Sequence, residues 1–119
     1  MTTSPHLQVE KERLLDSIDA IRKSGNIAPS LYFLTVVPTT SKGKTYHYAR
    51  LVKEPISGKQ EVTPLGREGS ARHQDWKRRI ARRDAIVELE QQLKILDELM
   101  RRQQDRSHLV DRNFSEPEA

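Results

Sequence analysis

Apolar residues along this chain change their spacing twice, and each change marks a new kind of element. Between Ser4 and Lys23, Leu7, Leu14, Ile18 and Ile21 fall on one stripe at helical spacing, with Leu15 beside it. Ser4 suits an N-cap and Pro5 the first helical position. Gly25-Asn26 then supplies residues that tolerate left-handed dihedrals at a helix end. The pattern predicts an amphipathic helix over 4–24, of near-zero net charge, whose work is packing.

From Leu31 to Leu65 the period shortens. Leu31 to Val37 is β-branched and aromatic, too short for a helix, and closed by Pro38. Thr45 to Val52 is the second strand candidate. Gln60 to Thr63 is a short third one, which Pro64 places at an edge or ends. Gly43 and Gly58 lie in the two connections, as hairpin loops require. These segments predict a three-stranded antiparallel meander.

Helical spacing returns after the turn Gly66-Arg67-Glu68-Gly69-Ser70, with Ser70 as N-cap candidate. It runs without glycine or proline from Ala71 to about Gln104, a rod of roughly 50 Å at 1.5 Å per residue. Ile86, Leu89, Leu93, Leu96 and Met100 alternate steps of three and four, the seam spacing of a coiled coil. Trp76, Ile80 and Val87 form a second stripe on a rotated face. The first half of this helix is expected to pack on the sheet and the second to pair with another helix. That helix is either the N-terminal one or a second protomer's. The polar stretch 106–119 is expected to be a disordered tail. The expected architecture is α+β in one small domain, residues 1–105. It comprises an N-terminal helix (4–24), the meander (31–65) and a long C-terminal helix (70–104) with a coiled-coil-like seam.

Composition limits what this fold can do. With 34% apolar and 32% charged residues the chain buries a modest core. A partner covering the apolar stripe is therefore expected: a homodimer through Ile86, Leu89, Leu93, Leu96 and Met100. The absence of cysteine excludes disulfides, thiolate metal sites and cysteine nucleophiles. No apolar run approaches the roughly 20 residues that span a bilayer, so no membrane role is expected. The N-terminus lacks the apolar stretch of a secretory signal. A cytoplasmic location is expected, nucleoid-associated if the partner is DNA.

Charge redirects the reading toward an anionic partner. Between Lys42 and Arg83 there are twelve cations and four carboxylates, a net charge of +8, whereas the whole chain carries +4. Nucleic acid is the expected partner, DNA ahead of RNA. The sheet would contribute Lys44, Tyr46, Tyr48, Arg50, Lys53 and Lys59, and the helix Arg72, Lys77, Arg78, Arg79, Arg82 and Arg83. Strand alternation groups Tyr46, Tyr48, Arg50 and Val52 on one face and Thr45, His47, Ala49, Leu51 and Lys53 on the other. Either Ala49 and Leu51 face the helix, leaving the tyrosines outward, or the tyrosines are core aromatics. An adaptor that docks an acidic protein on the long helix, without nucleic acid, is the alternative.

Catalytic candidates are sparse. His6, His47, His73 and His108 form no paired metal spacing, and Glu88 and Glu90 sit on a solvated helix face. No cofactor, metal or reaction is expected. The turn at Gly66–Ser70 is either an ordinary glycine turn before a capped helix or a place where amides hold one phosphate.

Gly43-Lys44-Thr45-Tyr46-His47-Tyr48-Ala49-Arg50-Leu51-Val52, then Gly58-Lys59, then Leu65-Gly66 before a helix, carry a resemblance over residues 43–83. The run resembles the small arm-binding domains of phage-type integrases and their AP2-like relatives. The resemblance implies a three-stranded sheet entering the major groove with one helix behind it. Tyr46, Tyr48, Arg50, Lys53 and Lys59 would then be on the groove side. The helix here is longer than in that pattern and no recombinase catalytic domain follows, so only a mode of binding is implied.

Overall fold

The structure, a computed structural model, describes the backbone of residues 4–115 and the side chains of residues 4–110. The elements in chain order are α1 (Pro5–Ser24), β1 (Tyr32–Ser41), β2 (Lys44–Lys53), β3 (Glu61–Arg67) and α2 (Ala71–Ser115). The fold is α+β, as the apolar spacing predicts. The chain divides into two compact units, residues 24–85 and residues 1–23 with 86–119.

In the first unit the strands form one antiparallel sheet in the order β1-β2-β3. β1 runs through Pro38 to Ser41 instead of closing there, and β3 runs through Pro64 to Arg67. Both are edge strands, where a missing N–H is tolerated on the unpaired side. The first connection thereby shrinks to Lys42-Gly43, with φ of 52° and 79°. Two consecutive left-handed residues make the tight turn whose twist matches a two-residue hairpin. Facing pairs Leu34–Leu51 and Val36–Ala49 place Ala49 and Leu51 on the helix side. There Ala49, Leu51 and Leu65 form the buried core, closed by Tyr32, Leu34, Trp76 and Ile80. Tyr32 and Trp76 stack with ring centroids 5.9 Å apart.

The turn from β3 into α2 is fixed by its own polar groups. The Ser70 hydroxyl donates to the Leu65 carbonyl (2.9 Å) and accepts from the His73 amide (3.3 Å), the N-cap role expected of it. His73 is buried and its Nδ1 accepts the Gly69 amide at 2.9 Å, so its ring proton sits on Nε2.

The second unit is a helical hairpin. Its two strands of contact run antiparallel: the Ser4 amide donates to Gln103 Oε1 (3.0 Å), and Lys11 Nζ pairs with Asp97 (3.0 Å). Leu14 and Ile18 of α1 are buried, as are Ile86 and Leu96 of α2, with Leu89, Leu93 and Met100 half-buried. The seam expected to recruit a second protomer is thus covered by α1 of the same chain. A hydrogen bond from Arg13 holds the Glu10 carboxyl below the usual carboxylate range.

α2 does not stop near Gln104. It continues to Ser115, so most of the stretch expected to be a disordered tail is helical, and residues 116–119 lie outside the described residues. The physical reason is that no breaker intervenes before Pro117. The seam also continues at its own spacing through the half-buried Gln103 and Ser107.

Candidate nucleic-acid interface

The register assigns every sheet residue to a face. Phe33, Thr35, Val37 and Thr39 of β1 face Val52, Arg50, Tyr48 and Tyr46 of β2, and all eight lie on the face opposite the Ala49–Leu51–Leu65 cluster, where Val52 is itself buried. Lys44 shares that face by alternation. On β3, Val62 lies opposite Val52 and Pro64 opposite Arg50.

A bulge then changes the parity of β3. Residues 48 to 50 of β2 stand opposite 64 to 67 of β3, one residue more. Leu65 is buried on the core side, Gly66 takes a left-handed φ of 86°, and Arg67 emerges opposite Tyr48 on the outward face. Its guanidinium carbon lies 4.7 Å from the centre of the Tyr46 ring. The outward face therefore gathers Lys44, Arg50 and Arg67 around Tyr46 and Tyr48, and none of its strand positions holds a carboxylate. Of the two burial options for the tyrosines, the structure holds the one with Ala49 and Leu51 inside.

Arg67 is missing from the candidates that sequence alone provides. Plain alternation from Leu65 would put it on the buried side. The signal for its true side is Gly66, inside the strand and next to Pro64, the composition of a bulge.

The remaining candidates divide. Lys53 lies on the core side of the sheet, with its ammonium 6.0 Å from the Tyr32 ring centre and Glu61 facing it across the ladder. Lys59 is exposed in the β2–β3 loop, where a shallow cavity of about 210 Å³ is also lined by Lys53 and the almost fully exposed Ile56. Arg72, Lys77 and Arg78 are exposed on α2. Arg79, Arg82 and Arg83 are engaged within the protein. Arg79 pairs with Asp75 (2.8 Å) and stacks on Trp76 (4.7 Å). Arg82 donates to the Asn26 carbonyl (3.0 Å). Arg83 Nη1 donates to the carbonyls of Pro29 (2.9 Å) and Tyr32 (2.6 Å). Three of the six helix cations expected to contact nucleic acid thus bond within the protein instead.

The Gly66–Ser70 turn is an ordinary capped turn. The amides of Glu68, Gly69, Ser70 and His73 all donate inside the protein, so these four are not open to a phosphate. Among the described residues no three His, Asp or Glu side chains converge as metal ligands, and no helix is long and apolar enough to cross a membrane. Comparison with protein-family models, curated proteins and solved structures finds no match for this chain.

Proposed function

We propose that this chain is a non-enzymatic DNA-binding protein that lays the outward face of its sheet on duplex DNA. The observation that carries this reading is the composition of that face: Lys44, Arg50 and Arg67 surrounding Tyr46 and Tyr48, with no carboxylate at its strand positions. A carboxylate-free cationic face attracts phosphates without paying for a local repulsion. The B-form major groove, about 12 Å wide, admits a two-stranded β-ribbon, whereas the A-form RNA groove is too deep and narrow. Single-stranded RNA is disfavoured because Arg67 covers one side of the Tyr46 ring, which removes it as an open stacking platform.

Self-association through the long helix is not part of this proposal, because α1 covers the seam. The adaptor reading keeps one specific support in Ile95 and Leu99, which are 61% and 45% exposed beside that seam.

Titrating the protein against labelled duplex DNA, single-stranded DNA and RNA at two salt concentrations tests the proposal. Three phosphate contacts would weaken duplex binding about 40-fold between about 50 and 200 mM salt, from a slope near −0.9 per phosphate. Duplex binding should exceed binding to either single strand. No binding at low salt would sink the proposal and give the basic face to a protein partner.

A further inference from the structure

Arg67 differs from the other arginines of its unit in having an ordered position and an unused fork. Arg79, Arg82 and Arg83 donate to Asp75, Asn26, Pro29 and Tyr32. Arg67 lies exposed over the Tyr46 ring, and none of the described residues accepts from its guanidinium. The bulge at Gly66 is what brings it to this face. Stacking on an aromatic ring limits the rotamers of a long side chain while leaving the planar edge of its five N–H donors free. An arginine so held gives up less conformational entropy when it makes a bidentate contact.

We infer that Arg67, held on Tyr46, reads a guanine through its O6 and N7 edge in the major groove, so that binding is specific for sequence and not only for backbone charge. The inference rests on the DNA reading above and adds a base to it. Guanine is the base whose groove edge presents two adjacent acceptors, the match for a guanidinium fork. A phosphate also accepts from an arginine fork, but that contact carries no sequence information, and Arg67 stands on the sheet face proposed to enter the groove, where base edges lie. Tyr46 is then a positioning residue: its ring, not its hydroxyl, sets the guanidinium plane. Lys44 is the neighbouring cation of the same face without such support and would serve the backbone.

The test is selection of preferred sequences from a randomised duplex library with the full chain, followed by titration of the winning duplex. The enriched sequences should share a fixed guanine. Replacing it with 7-deazaguanine, which lacks the N7 acceptor but still pairs, should weaken binding roughly 10- to 100-fold. Arg67→Met, which keeps the aliphatic stem and removes every donor, should erase the difference between the two duplexes. Tyr46→Phe should preserve the difference and Tyr46→Leu should reduce it, with circular dichroism confirming that each variant is folded.

The outcomes separate the two claims. Binding to duplex DNA without guanine enrichment, or equal binding of the guanine and 7-deazaguanine duplexes, overturns the guanine inference and leaves DNA binding standing. A guanine preference that survives in Arg67→Met overturns its assignment to Arg67. Failure to bind any duplex at low salt removes the DNA reading itself.

Discussion

Replacing Arg83 by methionine separates a structural arginine from a DNA-binding one. The substitution keeps the aliphatic stem and removes the guanidinium. Arg83 Nη1 donates to two carbonyls, those of Pro29 at 2.9 Å and Tyr32 at 2.6 Å, and its side chain is only 18% exposed. A hydrogen bond to a charged group contributes about 1.5–3 kcal/mol, and the two here share one donor atom. Its contact with Asp84, itself 64% exposed, adds little. Loss of about 2–4 kcal/mol is therefore expected, which lowers the midpoint of thermal unfolding by roughly 15–30 °C for a unit of this size. The assay is urea and thermal unfolding followed by circular dichroism, with duplex binding measured on the folded variant well below its midpoint. Stability should fall and the affinity of the folded fraction should hold. An unchanged midpoint with weakened DNA binding would refute the structural assignment and return Arg83 to the residues that contact nucleic acid.

Other outcomes follow from the same contacts. Leu14→Ala empties a site only 2% exposed in the helical hairpin and should cost about 2–5 kcal/mol, read as lost helicity on heating. Because α1 covers the seam in the same chain, the melting temperature of the unmodified protein should not rise with protein concentration; a rise would indicate a dimeric seam. Gly66→Ala places a side chain at φ 86°, with no atom closer than 3.6 Å to the added carbon, so only the backbone term of about 1 kcal/mol should appear in unfolding. The Glu10–Arg13 pair lowers the Glu10 pKa, so its contribution is present above the ordinary carboxylate range and is lost as the pH falls through the lowered value. Comparing melting of the unmodified protein and Glu10→Gln at neutral pH and in acid checks this: the gap between them should close in acid.

Long-period features of the fold were legible in the sequence. The stripe from Leu7 to Ile21 and the seam from Ile86 to Met100 have complementary steps, and each needed a cover that the other supplies. Ala49 and Leu51 were legible as one face of a strand, but which face met the helix was not, since Tyr46 and Tyr48 are equally capable of burial. Pro38 misled because the rule that proline ends strands relaxes at an edge, whereas Pro64, read as marking an edge or an end, lies inside an edge strand. Arg82 and Arg83 belong by spacing to a charged run. Their role depends on carbonyls of the 26–32 segment, more than fifty residues earlier. The last turns of α2 stayed hidden because their seam positions, Gln103 and Ser107, are polar and vanish from a hydrophobic count.

The order in which the chain is made bears on the hairpin. α1 is synthesised before the sheet, and its partners, from Ile86 to Gln103, emerge only after it. The strands between them pair only with sequence neighbours, so the sheet can form while the ribosome is still at work. A sheet already folded replaces a flexible loop of the residues between Ser24 and Ala85, whose closure would cost on the order of 3–4 kcal/mol by its length dependence. Until that happens Leu14 and Ile18 have no cover. A nascent chain at that stage is open to exchange, in which α1 of one copy zips onto the seam of another. Sheet mutations that slow folding should therefore surface as domain-swapped dimers of the hairpin before they surface as loss of the sheet.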